Sequence, residues 1–191
     1  MYENEESYMA VHSAKEEESL VKSLLVKTLL FILYGELNLT DRAKHTWSVK
    51  TGEYILFPKG TTLLFQTEGE ARYIEFNAEG YFSPEGEIVP FMIYHYASDS
   101  PKETPEVMNR TVFAGKQAIL MLISISKRQK SVSYSLSGRG TLYVLKGSGE
   151  IFYKESRFRV SERQEVSLRR RGTFSLRTRE GLNLLLLVHF E

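Results

Sequence analysis

The chain has 191 residues, no cysteine and a formal net charge of +1 at pH 7. The lack of cysteine excludes disulfides, thiolate catalysis and cysteine metal sites. Hydrophobic residues make up 42% and charged residues 26%, with 11 Tyr and 11 Phe. This composition is typical of a globular protein rich in strands and not of a disordered chain.

The small net charge hides an asymmetry between two parts of the chain. Residues 1–116 carry 11 Lys and Arg against 18 Asp and Glu, whereas residues 117–191 carry 14 against 6. A basic second part can attract an anionic ligand or nucleic acid. Alternatively, the acidic and basic parts attract each other, within one chain or between chains.

The sequence predicts four segments in chain order. Residues 1–20 are polar and acidic, and we interpret them as a tail or a short helix. Short strands follow over 21–79, and 80–116 is interpreted as a connector because it holds four of the five prolines. Within this connector, 88–96 is expected to cover a core or to add an edge strand. Short strands resume over 117–191, and no helix of 12 or more residues is expected after residue 30.

The N-terminal sequence and the apolar runs bear on location. Met1 is followed by polar and acidic residues, which form neither the basic start nor the apolar core of a signal peptide. The longest apolar runs, such as 182–190, fall far short of the roughly 20 residues needed to cross a bilayer. We therefore expect a cytoplasmic protein without a membrane partner.

The chain resembles itself at an offset of 112 residues. Over 23–77, twelve of 55 positions are identical to the residue 112 positions later. Three of these identities are glycines, the pairs Gly35 and Gly147, Gly60 and Gly172, and Gly69 and Gly181. Glycine marks positions where φ is positive or a side chain does not fit, so a repeat of glycines predicts a repeat of turns and of fold.

The first half resembles the cupin family. Gly52, Pro58 and Gly60 match the start of its second motif, Gly-x5-Pro-x-Gly-x2-His, and Gly35 and Gly147 match the last glycine of its first motif in the two halves. The resemblance implies an all-β fold of two tandem small antiparallel β-barrels, a bicupin in which each barrel is a double-stranded β-helix or jelly roll. In the second half, the second motif is reduced to Gln164, Arg170 and Gly172.

Two narrower similarities accompany this one. The segments 29–37 and 50–60 are similar to the sensor cupins of AraC-type transcription regulators, and the second half resembles the terminal cupin of phosphomannose-isomerase-type proteins. The regulators carry helix-turn-helix units after the cupin, which do not occur before Glu191. The chain is therefore interpreted as a fragment or a stand-alone relative of a regulator, and direct nucleic-acid binding is not expected without an additional domain.

The resemblance also implies where a metal would bind, and these positions lack metal ligands. The cupin first motif, His-x-His-x3-4-Glu-x6-Gly, and the last His of the second motif supply three imidazoles and a carboxylate. The matching positions hold Lys22, Leu24, Thr28 and Leu63 in the first half and Tyr134, Leu136, Gly140 and Ser175 in the second, or the residue before each of the first two positions of a half. We therefore expect no metal, no cofactor and no catalytic residue of the cupin type.

Two kinds of binding site are predicted in the second half. Tyr134 and Ser175 can hydrogen-bond a small polar ligand inside the second barrel, whereas Leu24, Thr28 and Leu63 of the first half are expected to be filled core. Arginines form the second candidate, a patch for an anionic partner: Arg157, Arg159, Arg169, Arg170, Arg171, Arg177 and Arg179. The competing interpretation of these arginines is a solvated exterior barrel face.

The leading hypothesis is a non-catalytic cupin-like protein that binds a small polar or anionic ligand or a protein partner. We expect a regulatory role and a homodimer. The first alternative is a metal-independent isomerase or epimerase of the sugar-processing kind, which requires clustered His, Lys or Glu inside one barrel. The second alternative is a structural module that assembles through its oppositely charged halves.

Overall fold

The computed structural model describes residues 8–15, 19–78, 81–82, 88–95, 107–116, 118–127 and 131–190. All helical or extended structure in these ranges is β-strand, and the strands pair antiparallel. The predicted all-β class is therefore confirmed. Within these ranges no helix has the length and apolar character needed to cross a bilayer. The chain divides into a first unit, Met1–Glu79 with Ile88–Asp99, and a second unit, Gly80–Glu87 with Ser100–Glu191.

The first unit contains nine of the strands. These are β1 (Tyr8–Ala14), β2 (Leu20–Ser23), β3 (Lys27–Tyr34), β4 (Glu36–Asp41), β5 (Thr46–Lys50), β6 (Glu53–Phe57), β7 (Thr62–Gln66), β8 (Ala71–Ala78) and β10 (Ile93–His95). They form a five-stranded sheet in the order β1-β8-β3-β6-β10 and a four-stranded sheet in the order β2-β7-β4-β5.

The core of the first unit lies between its two sheets. Alternate residues of each strand point to the same face, and the inward residues are mostly apolar. They include Leu30 and Ile32 on β3, Leu63 and Phe65 on β7, and Tyr73 on β8. Burial of these side chains is the main stabilising contribution.

The second unit contains the other nine strands. These are β9 (Tyr81–Phe82), β11 (Val107–Ala114), β12 (Ala118–Ile125), β13 (Val132–Leu136), β14 (Gly138–Tyr153), β15 (Ser156–Ser161), β16 (Glu165–Leu168), β17 (Gly172–Arg177) and β18 (Leu182–Phe190). Their order is β13-β17-β14-β18-β12-β11-β9, and β15 and β16 also pair with β14.

The long strand β14 joins the two halves of this sheet. Its first part, 138–147, pairs with β18 and β16, and its last part, 148–153, pairs with β15 and β17. The inward side chains form an apolar core that includes Leu142, Ile151, Leu168, Phe174 and Leu186.

Each unit has a β-bulge beside a glycine with positive φ. The pairing of β3 with β8 shifts between Ile32 and Tyr34, and the pairing of β14 with β18 shifts between Val144 and Lys146, 112 positions later in each case. Gly35 and Gly147, with φ of +77° and +89°, follow these bulges. A Cβ atom would overlap the carbonyl oxygen of Glu70 at Gly35 and that of Gly181 at Gly147, so both corners require glycine.

The structure differs from the predicted segments at two places. Residues 8–14 of the predicted tail form β1, because they pair along their whole length with β8. Residues 107–114 of the predicted connector form β11, which pairs with β12. Neither segment shows a strongly apolar strand pattern, and both owe their conformation to a partner strand. The connector also supplies β10, which lies at a sheet edge as predicted.

Candidate functional site

An open groove in the second unit collects four of the predicted arginines. It has a volume of about 430 Å³, and its charged lining consists of Arg157, Arg159, Arg177, Arg179, Glu150 and Glu180. We call it the arginine groove. Within the described part of the chain, Arg177 and Arg179 form no ion pair.

Strand pairing explains why these residues meet. Glu150 lies on β14 directly opposite Arg159 of β15 on one side and Arg177 of β17 on the other. Directly opposed residues of antiparallel strands point to the same face, so the three side chains form one row. Arg157 and Ser175 flank Phe152 in the next row on the same face. The face points away from the core, because the alternating residues Ile151, Phe174 and Leu176 are buried.

Glu150 is the central carboxylate of the groove. The Arg157 guanidinium donates a hydrogen bond to Glu150 Oε1, and Arg159 Nε lies 4.0 Å from the same oxygen. The hydrogen bond from Arg157 lowers the pKa of Glu150, against a smaller opposing effect of burial. The Arg157 guanidinium also lies over the Phe152 ring, 5.7 Å from its centre, a cation–π contact that orients it. Glu150 is therefore ionised at neutral pH and holds one arginine in place.

A turn fixes the far end of the groove. Thr178 is buried, and its Oγ1 donates to the carbonyl of Ser148 at 2.7 Å and accepts the backbone N–H of Gly181 at 3.0 Å. Glu180 on this turn accepts a long hydrogen bond of 3.5 Å from Ser148 Oγ. The loop after β17 is thus tied to β14, which keeps Arg179 beside Arg177 at the groove.

The other three predicted arginines lie elsewhere. Arg169, Arg170 and Arg171 belong to the turn between β16 and β17. The Tyr153 hydroxyl holds this turn, since it donates to the carbonyl of Arg170 at 2.5 Å and accepts its backbone N–H at 3.1 Å. The length of β17, roughly 20 Å at about 3.3 Å per residue, separates the turn from Arg177. The predicted patch is therefore two separate groups.

The structure also separates Tyr134 from Ser175. Tyr134 points inward: its ring stacks on Phe174 at 5.3 Å and its hydroxyl donates to Asn109 Oδ1 at 2.8 Å. Burial raises the pKa of Tyr134. Ser175 points outward and shares a hydrogen bond of 2.8 Å with Ser133. The prediction that Tyr134 and Ser175 line one interior pocket is wrong.

A one-residue shift explains this error. The offset of 112 pairs Leu63 with Ser175, but the buried residues of β7 are Leu63 and Phe65 and those of β17 are Phe174 and Leu176. These two patterns are 111 residues apart. Side-chain direction alternates along a strand, so a shift of one residue exchanges the inner and outer faces.

The interior of the first unit contains a group of polar side chains that the sequence prediction missed. Lys22 on β2 reaches across to Glu75 on β8 and donates to both carboxylate oxygens, at 2.6 and 2.5 Å. Asn77 donates to Glu75 Oε1 at 2.7 Å and accepts from Thr28 at 2.6 Å. His12 Nε2 lies 3.5 Å from Glu75 Oε2. We call these five residues the inner polar cluster.

Electrostatics keep the cluster charged. Glu75 is only 1% exposed. Burial raises its pKa, but hydrogen bonds from Asn77 and Lys22 and the positive charge of Lys22 outweigh burial, and the pKa lies below its ordinary value. Burial, with a smaller effect of Glu75, raises the pKa of Tyr73 to about 12. His12 stacks on Tyr73 at 5.2 Å, and its buried Nε2 has no hydrogen-bond partner among the residues that the structure describes.

Leu24, Thr28 and Leu63 are buried, as expected for a filled core, but the interior of the first half is not wholly apolar. Thr28 is hydrogen-bonded inside the cluster, whereas Leu24 and Leu63 belong to the apolar core of the unit. The alternation of Tyr73, Glu75 and Asn77 with buried apolar residues along β8 is the pattern that could have indicated a polar inner face.

The described residues contain no group of three or more His, Asp or Glu side chains that could hold a metal ion. His45 pairs with Asp41 at 2.9 Å, and this hydrogen bond lowers the pKa of Asp41. His95 lies 3.5 Å from Glu53. Each of these histidines has one acidic neighbour and lies on the first unit's surface.

Comparison with known proteins supports the fold. No protein-family model and no curated protein sequence matches the chain. Among solved structures, the cupin 2 conserved barrel domain protein from Leptotrichia buccalis superposes with a TM-score of 0.77 at 13% identity, over 96% of this chain and 83% of that one.

Two further structures are similar over most of their length. The protein Ylba from E. coli superposes with a TM-score of 0.67 at 10% identity, over 96% of this chain and 76% of that one. Salicylate 1,2-dioxygenase from Pseudoaminobacter salicylatoxidans gives a TM-score of 0.69 at 9% identity, over 95% and 68%. Together, the strand order and these matches show that the chain has the fold of cupin-domain proteins.

Proposed function

We propose that this protein binds a small anionic ligand in the arginine groove. One observation carries the proposal: Arg157, Arg159, Arg177 and Arg179 line a single groove of about 430 Å³ around Glu150. Arginine presents several N–H donors in a planar fork that fits carboxylate and phosphate oxygens. Four such forks in one concave site offer more donors than the single carboxylate at the centre can accept.

The arrangement of the groove supports binding more than a solvated surface. Arg177 and Arg179 have no ion-pair partner within the described part of the chain. The side chains of Arg157 and Arg159 are 53% and 84% exposed, so both can reach a ligand. Their backbones lie on paired strands and on a tied turn. Rigid elements that carry exposed charged side chains suit capture of a small anion.

We further propose that the chain consists of two tandem cupin-fold barrels that arose by internal duplication. The two bulges 112 positions apart and the paired corner glycines, Gly35 and Gly147, support this. The regulatory role, the similarity to AraC-type sensor domains and the homodimer stay predictions of the sequence.

Titration calorimetry at low ionic strength tests the binding proposal, with succinate and inorganic phosphate as probes. We expect the double variant Arg159→Gln/Arg177→Gln to bind the preferred probe about tenfold or more weakly than the wild type. The matched control is Arg169→Gln/Arg171→Gln, which removes the same charge from the other end of β17 and should bind normally. Equal losses in both variants would show that only net charge matters. A wild type that binds neither probe rejects the proposal.

A second candidate, a metal-independent isomerase or epimerase, is favoured by the inner polar cluster. Lys22, Glu75 and His12 bring together an ammonium, a carboxylate and an imidazole inside one unit. Such enzymes remove a carbon-bound proton beside a carbonyl and return a proton from solvent. The side chains of Lys22 and His12 are 31% and 36% exposed, whereas Glu75 is buried.

Deuterium exchange tests this candidate. The protein is incubated in D2O with aldoses, ketoses and their phosphates, and NMR follows deuterium at the carbon beside the carbonyl. Enzyme activity predicts incorporation that Glu75→Gln abolishes while the folded NMR spectrum is retained. Lack of incorporation with every sugar contradicts the candidate.

A further inference from the structure

Within the described ranges, one carboxylate of the arginine groove has no basic partner. Glu180 is exposed, and its carboxylate accepts a single long hydrogen bond of 3.5 Å from Ser148 Oγ among the residues that the structure describes. Glu150, by contrast, is held by the Arg157 guanidinium. A carboxylate has about four acceptor positions, so Glu180 keeps most of its capacity for donors on a ligand.

Two guanidinium groups of the groove also lack a charged partner. Arg177 and Arg179 are exposed and form no ion pair with any residue in the described ranges. The charged groups that remain for a ligand are therefore two cations and, at Glu180, one anion. A ligand complementary to this set carries two anionic groups and one ammonium.

The Glu180 carboxylate and Arg177 lie close enough to contact one small molecule. Ser148 and Glu150 point to the same face of β14, because they are two residues apart, and their positions along the strand differ by about 7 Å. Arg177 lies opposite Glu150, whereas the hydrogen bond from Ser148 holds Glu180 near the position of Ser148. A molecule of the size of an amino acid can therefore reach both charges.

We propose, building on the proposed function, that Glu180 receives an ammonium group and that the groove takes small anions that also carry an ammonium, the class of the acidic α-amino acids. An ammonium has three N–H donors and no acceptor, which suits a carboxylate with unused acceptor positions. Arg177 and Arg179 bind the anionic groups of the same ligand through charge-assisted hydrogen bonds.

This recognition depends on direct contact and not on the overall charge of the groove. Four arginines and two glutamates give the lining a net charge of +2, which by itself favours the ligand with the larger negative charge. The ammonium is therefore favourable only where it contacts Glu180. A test must separate this contact from the field of the whole lining.

L-Aspartate and succinate provide this test, because they carry two carboxylates on the same carbon chain and differ only in the ammonium. Calorimetry at pH 7 and constant low ionic strength measures both affinities. Glu180→Gln removes the ammonium contact, so aspartate should bind about fivefold more weakly. The same change removes a charge that repels succinate, so succinate should bind equally well or up to about threefold more tightly.

Glu150→Gln is the matched control. It removes the same charge from the lining, but Arg157 already holds the Glu150 carboxylate, so no ammonium contact is lost. Aspartate and succinate both carry a net negative charge, and both should bind this variant about threefold more tightly. Aspartate should therefore respond in opposite directions to the two Glu→Gln changes.

The enantiomers of aspartate provide a second test, in which the charges of the ligands are identical. L- and D-aspartate can differ in affinity only through the placement of their groups. Simultaneous contact of two anionic groups and one ammonium with fixed partners predicts a preference of about threefold or more for one enantiomer. Glu180→Gln should remove this preference.

The possible failures are distinguishable. Equal or tighter binding of aspartate to Glu180→Gln, or equal affinities of its enantiomers for the wild type, would overturn the ammonium site, while binding of succinate would leave the proposed function intact. Failure of aspartate, succinate and phosphate to bind the wild type rejects the proposed function, and the ammonium site with it.

Discussion

Each unit has a glutamate paired with a basic side chain, but the pair lies in the interior of the first unit and on the outer face of the second. In the first unit Glu75 lies inside, paired with Lys22 and supported by Asn77. In the second unit the interior is apolar, and Glu150 and Arg157 pair on the outer face. A buried charge needs a partner and hydrogen bonds to offset desolvation, whereas an exposed charge does not. The same fold can therefore hold a fixed internal ion pair or an open, exchangeable set of arginines.

The largest effect on stability is expected from breaking the ion pair between Lys22 and Glu75 in the first unit. Lys22→Met leaves the Glu75 carboxylate buried without its cationic partner, and we expect a loss of about 3 kcal/mol in the free energy of unfolding. Urea denaturation followed by fluorescence of Trp47, the single tryptophan of the chain, measures this loss. Lys22→Met/Glu75→Gln should recover at least half of it. Arg157→Met, the matched change in the exposed pair of the second unit, should change unfolding little; equal losses would contradict the comparison.

The pH dependence of the unfolding free energy gives a second test of the same ion pair. The pKa of Glu75 is lowered in the folded state, so the carboxylate stabilises the fold above its unfolded pKa. That contribution is lost as the pH falls through the folded pKa. The stability difference between the wild type and Glu75→Gln should therefore be constant near neutral pH and shrink below about pH 4.5. Urea midpoints across this range measure it, and a difference that grows on acidification would refute the assigned ion pair.

A slightly smaller loss of stability is expected from replacing the corner glycines, which the two units share. Gly35→Ala and Gly147→Ala place a Cβ against a carbonyl oxygen at positive φ, and each should cost about 2–3 kcal/mol. Gly60→Ala has positive φ but open space around the added carbon, so it should cost about 1 kcal/mol. Thermal or urea unfolding measures all three variants. Losses at Gly35 and Gly147 no larger than at Gly60 would show that close approach does not fix these corners.

The smallest expected effect concerns the interior of the second unit. Tyr134→Phe removes the hydrogen bond to Asn109 but keeps the stacking on Phe174. We expect a loss of about 1 kcal/mol in unfolding free energy and unchanged binding of succinate and phosphate. If Tyr134 is a ligand contact, calorimetry will instead show weaker binding, and the role of this residue will change from structural to binding.

Strand positions and corner residues were largely predictable from the sequence. Alternating apolar residues and glycine turns predicted most strands, and an edge strand was one of the two alternatives expected within 88–96. The paired glycines at 35 and 147 predicted the corners. The strands β1 and β11 were missed because their residues have no strong pattern of their own and depend on the pairing of β1 with β8 and of β11 with β12.

The candidate sites were predictable only in part. Arginines with a spacing of two, such as Arg157 and Arg159, were expected on one strand face, and the structure places them there. The sequence did not reveal that Arg169 to Arg171 lie at the other end of β17, nor that Ser175 points outward. Both facts depend on register, and a one-residue shift exchanges the faces of a strand.

The sequence by itself determined the all-β class, the glycine corners and the alternation of inward and outward residues, because these follow from local backbone geometry and from the period of two along a strand. Only the tertiary structure decided which charges meet. Lys22 and Glu75 are 53 residues apart, and Glu150 lies opposite Arg177 only through the pairing of β14 with β17. Contacts between distant residues depend on strand order and register, which no local pattern encodes.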